Sequence, residues 1–207
     1  CIIANEGSGV SQAIGTGGRD VKDAVGGITF LDAMQALAHD PATKVLLLVS
    51  KPPQPAVLKK VQALVRKIKK PVVALFLGEG GMPATLEQAA LIAVAQANGQ
   101  DPAKALARLD RRDEILLAEA RAIVAKRKKP QGRYLRGLFS GGTFNAEAQV
   151  VLDGIVRHLY SNAPLGDSQK LKNAWKPEKN SVIDLGEDEF TVGRAHPMID
   201  YTLRNKM

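Results

Sequence analysis

Apolar runs that end in glycine or proline alternate with helically spaced apolar positions along this chain. "VLLLV" (Val45 to Val49) is a continuous apolar run closed by "SKPPQP", the pattern of a strand buried on both faces. From Ala56 onward, Val57, Leu58, Val61, Leu64, Val65 and Ile68 fall at helical spacing, and "KPVVALFLGEGG" then repeats the strand-to-glycine pattern. Strand, helix, strand in that order predicts a βαβ unit with parallel strands. Thr29 with Asp32, and Thr85 with Gln88, read as capping boxes ahead of two further helices. Asp101 before Pro102 predicts an N-cap with proline at the first helical position, and charged helical pattern then runs to about Lys128. "RGLFSGGTFNAEAQVVLDGIV" (Arg136 to Val156) is again strand, glycine turn and helix, with Phe144, Ala148, Val151, Leu152 and Ile155 as the expected buried stripe. Ser161 to Asn180 reads as a long polar loop and "SVIDL" as a strand. The chain therefore divides into an α/β domain over 1–97, a helical connector over 98–133 and a second α/β unit over 134–207, both with mainly parallel sheets.

Composition narrows the class. With 207 residues, 45% hydrophobic and 24% charged, the chain is ordinary globular material. Its apolar runs are far shorter than the roughly 20 residues that span a bilayer, so no membrane is expected. No export signal is visible, and the opening "CIIANEG" reads as the start of an excised piece. One cysteine, Cys1, agrees with a reducing compartment, so the expected location is cytoplasmic. The net charge of +8 collects in Lys59 to Lys70 and Arg121 to Lys129, on or beside helical patterns. Neither run contains an aromatic residue for base stacking, so the charge is read as solvated helix faces and nucleic acid is not expected as a partner.

Chemistry is expected at the glycine loops, because open α/β sheets bind ligands beyond the carboxyl ends of their strands. In "AIGTGGRDVKDAVGG", Gly15, Gly17 and Gly18 allow a tight approach to an oxyanion and Arg19 offers a planar fork to phosphate or carboxylate. The plainer reading is a βα turn in which Arg19 pairs with Asp20. "SGGT" (Ser140, Gly141, Gly142, Thr143) carries the same two readings, with Thr143 as a simple cap in the second. The first reading makes these two turns opposite walls of one oxyanion site.

"IGTGGRD", "LDAMQALAHDPATKVLLLVSKPP", "KPVVALFLG", "GLFSGGTFNAEA" and "VIDLGEDEFTVGRAHPMIDYTLRN" together resemble the FdrA family, relatives of the α subunit of succinyl-CoA synthetase. The resemblance covers most of the chain, in the family's own order, with "SKPP" and "GRAHPMID" as its specific marks. It implies flavodoxin-like, three-layer units, ligase-CoA-like over 1–97 and incomplete at the C-terminus of the second unit. It also implies carbamoyl transfer, the phosphorolysis of oxalurate to oxamate and carbamoyl phosphate, or else acyl-CoA synthetase activity. The synthetase histidine is missing from "FLGEGGMPATLEQ", which leaves no phosphohistidine relay, and Lys51 stands where those enzymes place a glutamate. "NEGSGVSQ" leaves no room for the family's helix ahead of "AIG", so the roles of Gly7 and Ser8 stay open.

His39 is expected at a helix end and His158 on a "VRHLY" helix, whereas His196 in "GRAHP" sits beside Arg194 in a proline-stiffened loop. No cluster has metal-ligand spacing, so no metal is expected. Under the carbamoyl reading, backbone N–H groups at Gly17, Gly18, Gly142 and Thr143 stabilise the oxyanion, Lys51 and Arg19 bind phosphate, Arg194 clamps a carboxylate and His196 donates the proton. The expected ligands are phosphate or carbamoyl phosphate and a small-molecule substrate, with coenzyme A only under the synthetase alternative. Expected partners are further copies of the chain or co-encoded subunits. A third possibility is a non-catalytic, metabolite-binding scaffold.

Overall fold

The computed structural model describes residues 2–127 and 132–207, in two compact units, Cys1–Lys129 and Pro130–Met207. The readings that fall on Cys1 and on Lys128 and Lys129 lie outside the described residues.

In the first unit, α1 (Ile2–Asn5) and α2 (Ile28–His39) precede β1 (Leu46–Ser50), α3 (Pro55–Val65), β2 (Val72–Phe76), α4 (Leu86–Ala97) and α5 (Pro102–Ala125). β1 and β2 pair in parallel with Leu46 opposite Val72 and Ser50 opposite Phe76, so β1-α3-β2 is the expected βαβ unit. Phe30 and Met34 of α2 pack with Leu48 of β1 and with Val57 and Val61 of α3 into one core. α4 packs on both strands, and its residues 89–95 are all buried because it is apolar on every face. Its N-terminus carries the expected capping box, with Gln88 N–H donating to Thr85 Oγ1 at 3.2 Å and Thr85 N–H to Gln88 Oε1 at 3.3 Å. Asp101 caps α5 as expected, accepting from Ala103 N–H at 2.9 Å. α5 packs on α4, and Arg112 of α5 reaches Glu87 of α4 at 2.5 and 2.9 Å. β1 departs from the expectation of burial on both faces: Leu46 and Leu48 are buried, but Val49 is 37% exposed. Among the described residues the sheet has two strands, so each of them is an edge. Part of the first basic run is structural, since Lys70 Nζ donates to Leu37 O and Asp40 O at the end of α2. His39 closes α2, with Nδ1 2.8 Å from Gln35 O.

In the second unit, β3 (Arg136–Phe139) leads through a glycine turn into α6 (Gly142–Leu152). β4 (Leu159–Ser161), β5 (Gln169–Lys170), β6 (Asn180–Asp184), α7 (Asp188–Thr191) and α8 (Thr202–Lys206) follow. The sheet order is β3-β6-β4-β5, all pairs parallel, with β6 in the interior. Ile183, Leu185 and Phe190 form the core with Leu171 and Ala174. Both units are thus α/β with parallel sheets, in keeping with a flavodoxin-like fold.

Three expectations fail in this unit. α6 buries Asn145, Ala146 and Gln149, while Phe144, Val151 and Ile155 are 63%, 50% and 73% exposed. Hydrogen bonding selects the buried face: Asn145 Nδ2 donates to Ser161 Oγ at 3.2 Å, and Gln149 bonds Ala163 O and Leu165 N–H at 3.0 and 2.8 Å. His158 lies on no helix, because α6 stops at Leu152 and His158 takes φ 54 directly before β4. The stretch read as one polar loop begins with the last residue of β4 and contains β5.

Candidate functional site

The glycine loop of the first unit is organised by two aspartates. Asp20 is 5% exposed, and its carboxylate accepts from Thr29 N–H at 3.1 Å and Phe30 N–H at 2.8 Å. These amides belong to the first turn of α2, where an anion would otherwise bind, so the chain's own carboxylate fills that position. The Thr29/Asp32 capping box does not form: α2 starts after Gly27 and is capped from Asp20. Asp23 serves α3 in the same way, accepting from Val57 N–H at 3.4 Å, while Asp23 N–H donates to Gln54 Oε1 at 2.5 Å. Gly27 has φ 75, and a Cβ there would lie 2.7 Å from Val57 Cγ1. That glycine exists for the close approach of α2 to α3.

Gly17, Gly18 and Arg19 are exposed, and of the two glycines Gly17 takes the left-handed conformation, φ 79. Lys51 follows β1 at its carboxyl end and is half-buried. Arg19 and Lys51 each hold further interactions.

In the second unit, the carboxyl ends of β3 and β6 converge on Gly186. A Cβ on Gly186 would lie 3.0 Å from Asp184 Oδ1, 3.6 Å from Gly141 Cα and 3.7 Å from His196 Nε2. His196 is thereby brought beside the "SGGT" turn, although more than fifty residues separate them in sequence. Gly141 is the N-cap of α6 and contributes no side-chain cap, and Gly142 and Thr143 are the helix's first residues. Thr143 is therefore not the cap. The free amides of such a first turn and the helix dipole favour an anion.

The turn holding His196 is tied down. Pro197 is buried, and His196 O accepts from Ile199 N–H at 2.8 Å and Asp200 N–H at 3.0 Å. Asp200 Oδ1 in turn accepts from Thr202 N–H and Oγ1–H at 2.9 and 2.5 Å, which holds its carboxyl below the usual aspartate range. Met198 N–H donates to His196 Nδ1 at 3.2 Å. That bond keeps Nδ1 unprotonated in the neutral ring and leaves the proton on Nε2, the nitrogen beside Gly186. Arg194 stands two residues before His196 and is exposed.

Asn162 braces the end of β6, exchanging two 2.8 Å bonds with the backbone of Asp184, through Nδ2 to the carbonyl and from the N–H to Oδ1. Asp184 is 2% exposed, and its Oδ1 accepts from Gly186 N–H at 2.8 Å. Asn162, Asp184 and Gly186 escaped the reading of the sequence. The available signal was "VIDLG", one more strand running into glycine. Among the described residues, no group of three or more His, Cys, Asp or Glu is arranged to hold a metal ion, and no helix is long and apolar enough to cross a membrane.

Fold and site together define a parallel-sheet α/β protein with glycine turns at its strand ends. Among curated proteins, the uncharacterized protein YahF of Escherichia coli (strain K12) is 40% identical over 207 residues, covering 96% of this chain and 39% of YahF. The chain thus spans about two fifths of that relative's length. No protein-family model matches the chain.

Proposed function

We propose that this chain is an FdrA-like subunit of a phosphate-dependent carbamoyl-transfer enzyme, and that its oxyanion site is the crevice at the N-terminus of α6. The observation that carries the reading is the approach of Gly141 and His196 Nε2 to Gly186. The first turn of α6 and a ring N–H then lie beside the same glycine, a pairing suited to an oxyanion.

In this reading, a phosphate oxygen attacks the ureido carbonyl of oxalurate. The carbonyl oxygen becomes an oxyanion, which the first-turn amides of α6 stabilise. As the C–N bond breaks, the proton carried by hydrogen phosphate passes to the departing amide nitrogen while His196 Nε2–H donates a hydrogen bond to the developing charge, giving oxamate and carbamoyl phosphate. No phosphoenzyme is needed, in keeping with the lack of histidine in "FLGEGGMPATLEQ". In the first unit, Asp20 and Asp23 already occupy the helix N-termini, which favours the second unit, rather than Arg19 and Lys51, as the place where phosphate reacts.

The test is oxalurate phosphorolysis by the full-length protein with its co-encoded subunits. Carbamoyl phosphate should form in proportion to inorganic phosphate, and His196→Gln should lower the rate by about 100-fold, the lower end for a lost oxyanion donor. Stoichiometric acid-labile phosphate on the protein after incubation with ATP would instead identify a synthetase.

A further inference from the structure

We infer that Trp175 is the platform of a carboxylate subsite, over which Arg194 is held to grip a small planar amido or keto acid. The inference rests on the carbamoyl-transfer reading above and gives its leaving group a place separate from the phosphate. Arg194 Cζ lies 5.7 Å from the centroid of the Trp175 ring, within the ~6 Å reach of a cation–π contact. The N–H donors of a guanidinium lie in its plane and point outward from the rim, the arrangement that pairs with both oxygens of a carboxylate.

The platform is fixed from below. The Trp175 and Phe190 ring centroids are 5.0 Å apart with planes at 59°, and Phe190 is 1% exposed in the core with Leu171, Ala174, Ile183 and Leu185. Trp175 N–H donates to Asn173 Oδ1 at 2.9 Å, and the buried Ala174 anchors the same turn. Trp175 nevertheless stays 42% exposed. Arg194 N–H donates to Thr191 O at 3.1 Å, linking the arginine to α7, the element that carries Phe190. Arginine and platform therefore share one support. Two residues further on, His196 presents Nε2 to Gly186, so one short turn carries both the carboxylate fork and a hydrogen-bond donor for the reacting group next to that carboxylate. Trp175 is a positioning residue in this scheme, acting through Arg194.

Trp175 is the only tryptophan in the chain, so its emission reports this subsite directly. The full chain is titrated with oxamate by fluorescence and calorimetry, and separately with inorganic phosphate by calorimetry. Oxamate should change the emission saturably. Arg194→Ala should weaken oxamate binding at least tenfold while leaving the phosphate Kd within about twofold, and Arg194→Lys, which loses the planar fork, should rescue it only in part. Trp175→Ala should also weaken oxamate selectively, and Trp175→Phe, which keeps an aromatic face, should restore much of the loss in calorimetry. An oxamate Kd that is unchanged in Arg194→Ala or in Trp175→Ala overturns the proposal. A wild-type protein that binds oxamate through Arg194 but binds no phosphate upholds the platform and overturns the phosphate reading instead.

Discussion

Asp20 is a carboxylate at 5% exposure whose oxygens are satisfied by two backbone amides of α2. Removing it leaves those amides without a partner inside the protein, so Asp20→Ala should cost about 1–2 kcal/mol, the range of a lost N-cap. Asp20→Asn keeps one acceptor and should cost less. Gly27→Ala should cost about 1–3 kcal/mol, since it adds a Cβ 2.7 Å from Val57 Cγ1 at a left-handed φ. Gly18→Val should fall within about 0.5 kcal/mol, because Gly18 has open space around it and no positive φ. Urea unfolding of the three positions checks this order, and a Gly18→Val loss as large as that of Gly27→Ala would contradict it. The sequence marked this loop as special for the right residue types, glycine beside aspartate. It could not show that Asp20 bonds a helix that begins beyond Gly27, because that bond depends on how the intervening turns fold.

At the level of elements, local periodicity was enough wherever both partners of an interaction lie close in sequence. β1, α3 and β2 follow from apolar runs and spacing, and the Thr85/Gln88 box from residues three apart. α6 was read with the wrong face inward because its buried Asn145 and Gln149 find their partners at Ser161, Ala163 and Leu165, after the helix has ended. An apolar stripe is a sound guide only where no polar network outweighs it. Gln149→Ala leaves the Leu165 N–H and Ala163 O bonds unmade and should cost about 1–3 kcal/mol, whereas Val151→Ser on the exposed face should change stability by less than about 0.5 kcal/mol. Thermal denaturation of the two variants tests the assignment, and the reverse order would restore the apolar stripe to the core. The candidate site divides in the same way: "SGGT" and "GRAHP" were legible as separate motifs, but their meeting at Gly186 depends on β6 lying beside β3.

At the scale of the whole molecule, the chain's charge shapes its response to pH. The Arg112 guanidinium bonded to Glu87 holds that carboxyl below the usual glutamate range, and the same pair ties α5 to α4. A depressed folded pKa means that the stabilisation is present above the ordinary glutamate value, near 4.5, and is lost as pH falls through the lower folded value. The pair is partly exposed, so it should contribute no more than about 1 kcal/mol after screening. Glu87→Gln should therefore lower stability slightly at neutral pH and not at strongly acidic pH, read from urea midpoints across the range. The central claim is that an oxyanion binds where Gly141, Gly186 and His196 converge. Its most direct test is a titration of the full chain with inorganic phosphate, followed through backbone amide and histidine ring NMR signals. The account predicts saturable shifts greatest at Gly142, Thr143 and Gly186 and at the His196 ring, with the affinity reduced in His196→Gln. Saturable shifts confined to Gly17, Gly18, Arg19 and Lys51, or no saturable shift at any of these residues, would contradict it.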